Sequence, residues 1–230
     1  MLRHHFINNI QEIFRDHPVC AILGPRQCGK TTLAHQFAQH FQLPSVHFFD
    51  LENTFDLGRL ENPMLALSAL QGTVIIDEIQ RRPDLFPILR VLADTTSLSF
   101  LILGSASREL IQQSSESLAG RVAYLELPPF GLREVDDVNK LWIQGGFPKS
   151  YLATTEKASF SWREFYIRTF LEQDIPNLGF NIPPKNLHRF WMMLSHYHGQ
   201  LFNASEMGRS LGLSNHTVKK YLDILEGTFM

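Results

Sequence analysis

The sequence predicts an α/β fold, a parallel sheet with helices on both faces, followed by a smaller all-helical region. Three observations predict it. Apolar strand-like runs alternate with helical patterns from Val19 to Leu127, as crossover-connected parallel strands require. The first run ends in a glycine-containing loop that opens a helix. Strand signals then stop near residue 130, and helical periodicity dominates the rest of the chain.

In chain order, residues 2–17 read as an opening helix with Phe6, Ile10, Ile13 and Phe14 on one face, closed near Asp16-His17-Pro18. Val19-Cys20-Ala21-Ile22-Leu23 is unbroken apolar sequence, the mark of a strand buried on both faces. Leu33, Ala34, Phe37, Ala38 and Phe41 repeat at helical spacing. Ser45–Asp50, Thr73–Asp77, Leu98–Gly104 and Val122–Leu127 read as the remaining strands, the last stopped by Pro128-Pro129. Beyond them, Gly145-Gly146-Phe147-Pro148 marks a break. A long helix is expected from about Lys157 to Asp174, ending before Ile175-Pro176. Another is expected after Pro183-Pro184, from about Asn186 to His198. These signals divide the chain into a core at 1–130, a helical lid-like region at 131–198 and a terminal module at 199–230.

Gly24-Pro25-Arg26-Gln27-Cys28-Gly29-Lys30-Thr31 fits the phosphate-binding pattern G-x-x-x-x-G-K-[ST], with the required strand before it and helix after it. Glycines allow backbone angles that turn consecutive N–H groups around a β-phosphate. Lys30 supplies a point charge toward the β- and γ-phosphates, and the Thr31 hydroxyl is placed to ligate Mg²⁺. Thr32 offers a second hydroxyl at the helix start. The helix dipole adds to the attraction for phosphate. Together these residues predict a nucleoside triphosphate ligand.

A second motif completes the site. Thr73-Val74-Ile75-Ile76-Asp77-Glu78 is a strand ending in two carboxylates, a Walker B pattern. Asp77 is expected to hold Mg²⁺ opposite Thr31, and Glu78 to act as general base on the attacking water. Ser105, at the tip of the next strand, is the candidate to sit beside the γ-phosphate, against the alternative of an ordinary strand-end turn. Arg121 either spreads transition-state charge, in cis or from a neighbouring subunit, or is a plain surface ion-pair partner. Arg26 could contact phosphate or a neighbouring protomer, and Cys28 is either a small packed side chain or an oxidisable thiol.

Composition narrows the remaining classes. The 230-residue chain is 44% hydrophobic and 19% charged, with a net charge of −2, which argues against a general coat for nucleic acid. Its 18 phenylalanines, several of them in the later helices, predict a helical packing surface there. No apolar run approaches the ~20 residues of a membrane span, and no secretory leader pattern follows Met1. Cys20 and Cys28 both fall at the nucleotide site, so a reducing, cytoplasmic setting is expected. His4-His5 and His196-x-His198 lack the partners and spacing of a metal site.

Near the C-terminus, Asn203 and Glu206 form a capping arrangement for a short helix, Gly212 makes a turn, and Ser214 caps a second helix. Val218, Tyr221, Leu222 and Leu225 are expected inward, and Asn215, His216, Lys219 and Lys220 outward. That is the layout of a helix-turn-helix or partial winged helix, serving either DNA binding or packing and protein contacts. The sequence stops at Gly227-Thr228-Phe229-Met230, where a wing would begin, as in a truncated domain.

Gly24–Thr31, Asp77-Glu78-Ile79-Gln80-Arg81, Leu103-Gly104-Ser105-Ala106-Ser107, Leu118-Ala119-Gly120-Arg121 and Gly145-Gly146-Phe147-Pro148 stand in an order and spacing that resembles the prokaryotic AAA-type P-loop ATPases of the archaeal-ATPase-like group. These usually carry a C-terminal domain of unknown function. The resemblance implies an AAA+-like P-loop NTPase core that takes ATP and Mg²⁺, with Ser105 as the sensor position and Arg121 as a sensor or finger arginine. It also implies that Pro148 contacts the nucleotide through a Gly-x-Pro-like element. Such proteins look longer, with a nuclease-like region beyond the point where this sequence stops, so no activity of that region is carried over. The expected function is Mg²⁺-dependent ATP hydrolysis coupled to movement of the helical region. Self-association and DNA are expected as partners to test. The alternatives are a nucleotide-dependent switch or a DNA-binding regulator with little turnover. No Asn-Lys-x-Asp element of the kind that reads guanine is present.

Overall fold

The computed structural model describes residues 1–105, 114, 116–180 and 182–228. It divides into two compact units, Met1–Leu141 with Gly146–Pro148, and Trp142–Gly145 with Lys149–Met230.

The first unit is built on a five-stranded sheet of order β2-β3-β4-β1-β5 in which every pair is parallel. The strands are β1 (Val19–Gly24), β2 (Val46–Asp50), β3 (Thr73–Asp77), β4 (Ser99–Ser105) and β5 (Val122–Glu126). β1 and β3 are buried along their whole length, as their unbroken apolar runs require; β2 and β5, at the edges, are only partly covered. Ile22 of β1 lies in register with Leu103 of β4 and Leu125 of β5. All the strand ends that bear polar motifs therefore emerge on one side, where open parallel sheets bind their ligands.

Helix α1 (His4–Asp16) and helix α2 (Lys30–His40) pack on this sheet. Ile7 and Ile10 are fully buried in a core shared with Ile22, Leu33, Phe37 and Leu101, each worth about 1.5–3 kcal/mol on removal from water. Between β2 and β3 lie two short helices, α3 (Thr54–Arg59) and α4 (Pro63–Ser68). The Asn53 side chain accepts from Phe55 N–H, and that of Asn62 from Leu65 N–H, each satisfying a donor left open at a helix start. A 3₁₀ turn (Ile79–Arg81) and α5 (Leu85–Thr95) complete the path to β4.

The second unit is helical: the end of α6 (Val138–Gln144), most of α7 (Pro148–Tyr151), α8 (Glu156–Thr169), α9 (Ile175–Asn177), α10 (Pro184–Ser195), α11 (Ala204–Leu211) and α12 (Asn215–Gly227). Thr155 caps α8 by accepting from Ala158 N–H. The expected stop before Ile175-Pro176 is corrected, because the chain stays helical to Asn177 through a π turn at Phe170–Asp174. Pro176 follows a π turn in which the Ile175 N–H reaches back five residues to the Phe170 carbonyl, and that wider turn accommodates the proline ring.

Phe170, Leu187, Phe190, Met207, Leu211, Val218, Tyr221 and Leu225 form one hydrophobic core. The terminal helix pair thus shares its interior with the preceding helices. Asn203 caps α11 by accepting from Ser205 and Glu206 N–H, Gly212 takes φ +70 at its end, and Ser214 caps α12. Asn215, His216, Lys219 and Lys220 are exposed, while Asn215 also donates to Ser205 Oγ across the turn at 2.9 Å.

Candidate nucleotide site

The loop between β1 and α2 owes its shape to two different uses of glycine. Gly29 has φ +99, a left-handed conformation that a Cβ disfavours, and Gln27 before it also turns left-handed at φ +62. Gly24 has no such angle. A Cβ there would stand 2.3 Å from the Leu127 carbonyl oxygen, so its glycine is required by close approach of the segment just after β5. Pro25 is buried, Arg26 half-buried and Gln27 exposed along the loop, and Thr32 is exposed in the first turn of α2.

Lys30 is 6% exposed, and its ammonium donates to the carbonyls of Gly24 and Pro25, both at 2.9 Å. Thr31 Oγ1 donates to Asp77 Oδ2 at 2.5 Å, joining residues 46 positions apart. The two sequence motifs therefore meet. Asp77 Oδ1 accepts from Glu78 N–H at 2.9 Å. Burial pushes the Asp77 carboxyl above its usual range, against the lowering effects of the Thr31 and Glu78 hydrogen bonds and the Lys30 charge. Asp50, paired in register with Asp77 at the end of β2, adds like charge in the same direction. Among the described residues no three His, Cys, Asp or Glu side chains gather into an all-protein metal cage. The hydroxyl and carboxylate oxygens of Thr31 and Asp77 are instead the hard donors suited to a Mg²⁺ that arrives with phosphates.

Glu78 is the next residue, with its backbone left-handed at φ +56. The Gln80 side-chain amide donates to its carboxylate. Burial raises the Glu78 carboxyl above its ordinary range, while the Gln80 hydrogen bond and the Lys30 charge pull it down. The sequence motif contained Gln80 but offered no reason to link its side chain to Glu78.

The other predicted residues divide between this centre and more distant positions. Ser105 ends β4 in register with Gly24, so its backbone stands beside the phosphate loop; its side chain, with Ala106 and Ser107, lies outside the described residues. Pro148 is at the loop, its ring Cγ 3.8 Å from where a Cβ on Gly29 would stand. Gly146, in the same segment, packs so tightly on Phe130 that a Cβ would meet the Phe130 oxygen at 2.2 Å, and Phe130 N–H donates to the Gly146 carbonyl at 2.7 Å. Cys28 is fully buried, and burial raises its thiol, which marks it as a packed side chain rather than a reactive one. Cys20 is likewise buried, its thiol pushed up to about 12.

Arg121 is not brought to this chain's own phosphate loop. Its carbonyl accepts from Val19 N–H, at the opening end of β1, whereas the loop leaves the closing end. The intervening strand of about 3.3 Å per residue spans on the order of 15 Å. Its guanidinium forks onto the Asp94 carboxylate at 2.6 and 2.8 Å. A cis role is thereby corrected.

One arginine that the sequence did not single out does reach the loop. Arg3 is 4% exposed, donates to the Cys28 carbonyl at 3.3 Å and forms an ion pair with Glu134 at 2.5 Å. No local pattern links residues 131 positions apart.

Comparison with known proteins bears on the family and the fold. Residues 16–136 match a family described as an AAA domain, and residues 135–230 match a domain of unknown function. Uncharacterized proteins of Mycobacterium tuberculosis and Mycobacterium bovis are each 49% identical over 212 residues, covering 90% of this chain and 47% of theirs. The chain thus spans about half the length of these relatives. A Walker-type ATPase of Pyrococcus abyssi superposes with a TM-score of 0.67 at 13% identity, covering 98% of this chain and 89% of that one, a likeness of fold. With its parallel sheet, phosphate loop and Thr31–Asp77 contact, the chain belongs to the AAA-domain family of nucleotide-binding P-loop ATPases and carries a C-terminal domain of unknown function.

Proposed function

We propose that this chain binds ATP with Mg²⁺, hydrolyses the β–γ phosphoanhydride, and uses the change to move its helical region. The observation that carries the reading is the Thr31–Asp77 hydrogen bond beside the buried Lys30 ammonium. Lys30 exchanges the Gly24 and Pro25 carbonyls for phosphate oxygens, and the loop N–H groups face the β-phosphate. Thr31 and Asp77 hold the Mg²⁺, which when bound neutralises phosphate charge. Glu78 takes a proton from the attacking water as the water oxygen bonds to the γ-phosphorus, and the bond from that phosphorus to the bridging oxygen breaks, leaving its electron pair on ADP. Ser105 orients that water, and Pro148 lies against the nucleotide from the loop side. Arg121, remote from this chain's loop, serves the nucleotide of a second copy, so hydrolysis depends on self-association.

The hold of Gln80 on Glu78 favours a second reading, a nucleotide-dependent switch with little turnover until that hydrogen bond opens. DNA binding through the exposed Lys219 and Lys220 is the third reading, and it predicts a salt-sensitive duplex complex lost in Lys219→Glu/Lys220→Glu. A size-resolved ATPase assay tests the three together. Lys30→Ala should abolish nucleotide binding, and Glu78→Gln should bind but not turn over. Unchanged hydrolysis by Glu78→Gln removes the base assignment.

A further inference from the structure

The guanidinium of Arg3 is built into the phosphate loop from behind. Its Nε and Nη2 fork onto the Glu134 carboxylate at 2.5 and 2.7 Å, Nη2 also donates to the Pro128 carbonyl at 2.9 Å, and Nη1 donates to the Cys28 carbonyl at 3.3 Å. Phe6 and Phe130 lie against it, with ring centroids 4.6 and 5.2 Å from its central carbon. Glu134 is itself only 11% exposed and accepts from Gly131 N–H at 3.2 Å. An ion pair this buried persists because each partner is hydrogen-bonded around its charge.

The contact with Cys28 has a consequence for the ligand. A trans peptide plane points its C=O and the next N–H in opposite directions. Holding the Cys28 carbonyl on the buried side therefore turns the Gly29 N–H away from the Arg3 guanidinium. That peptide precedes a glycine at φ +99, the residue least able to resist a peptide flip by itself. A flipped peptide would present a carbonyl oxygen to phosphate in place of a donor. The same guanidinium holds Pro128, next to the Leu127 carbonyl that abuts Gly24, so both ends of the loop are referenced to one side chain.

We propose that Arg3, braced by Glu134, is a positioning residue of the nucleotide site, locking the Cys28–Gly29 peptide with its N–H toward the β-phosphate of a nucleoside di- or triphosphate. This rests on the nucleotide-binding reading above. Arg3→Lys keeps the charge but cannot fork to Glu134 while holding two carbonyls. Arg3→Met/Glu134→Leu removes both charges together, a change that buried pairs often tolerate in stability.

The full chain is titrated with fluorescently labelled ADP and magnesium, reading Kd and sites per chain separately, with melting followed in parallel. Both variants should bind about tenfold more weakly, the loss of one oriented charge-assisted contact, with sites per chain unchanged. A role confined to folding would lower the number of competent sites and leave Kd alone. That result, an unchanged Kd in a folded double variant, or failure of both variants to fold overturns the proposal. A folded parent chain that binds no ADP removes the nucleotide reading itself. If the parent binds, Lys30→Ala does not, and the Arg3 variants match the parent, only the role of Arg3 falls.

Discussion

Gly24→Ala tests whether the first glycine of the loop serves packing rather than backbone angle. The added Cβ would stand 2.3 Å from the Leu127 oxygen and 3.2 Å from Cys28 Sγ. The sulfur can shift, but the carbonyl belongs to backbone that hydrogen-bonds to β1, Leu127 N–H donating to the Leu23 carbonyl at 2.7 Å. Relief requires about 1 Å of separation, which carries that bond beyond the ~3.2 Å limit of a good N–H···O contact. The lost bond costs about 1 kcal/mol and the overpacking about 1–3 kcal/mol, so about 2–4 kcal/mol in all. For a unit of this size that lowers the melting temperature by about 5–15 °C. Gly58→Ala is the control, since nothing lies within 4 Å of its Cβ position and it sits in helix α3. It should hold or raise the melting temperature, by at most about 1 kcal/mol of stability. Thermal unfolding followed by circular dichroism, with nucleotide titration of each variant, reads both effects. Gly24→Ala melting within about 2 °C of the parent and binding nucleotide equally would refute the close-approach argument.

Asp77 and Glu78 both have folded-state carboxyls raised by burial, so the native state holds their protons to higher pH than the unfolded chain does. Their contribution is full below the ordinary carboxylate range and is lost as pH rises through their raised values. Asp77→Asn should therefore stabilise the nucleotide-free protein at pH 8 relative to the parent, with the gain shrinking toward pH 4, while weakening Mg²⁺-dependent nucleotide binding; a gain that does not change with pH would contradict the burial argument. Gln80→Ala removes the amide donated to Glu78, and steady-state hydrolysis should rise by up to about tenfold, the equivalent of one hydrogen bond. A fall in rate would show instead that Gln80 orients the base. Arg121→Ala breaks an exposed ion pair with Asp94, so melting and single-chain nucleotide affinity should stay near the parent's. Hydrolysis should fall only under conditions where chains associate, which concentration-dependent rates of parent and variant mixtures will show.

Much of the fold was legible because buried parallel strands are written locally. The runs at Val19–Leu23 and Thr73–Asp77 needed no partner to be recognised, and the structure places both inside the sheet rather than at its edges. The cap residues Asn203 and Ser214 also act within one turn of their own position. The helix expected to stop before Ile175-Pro176 failed for a physical reason: proline is costly in a regular α-helix interior, but the π turn before it relieves that cost. Helices α3 and α4 drew no expectation because each is only 6 residues long, too short to show periodicity.

The phosphate loop by itself pointed to the ligand class, since its glycines, Lys30 and Thr31, the groups proposed to act on phosphate, are close neighbours in the chain. Asp77 and Glu78 were legible for the same reason, a short motif at a strand end. Tertiary structure alone decided how those residues are held: which backbone excludes a side chain at Gly24, which amide restrains Glu78, and which arginine belongs to the loop. Arg121 stands in the expected motif yet at the far end of β1, while Arg3, in no motif, supports the loop from within the core. The difference is one of range. Local chemistry is set by neighbours along the chain, whereas carbonyl contacts and buried ion pairs join residues that only the closing of the sheet brings together.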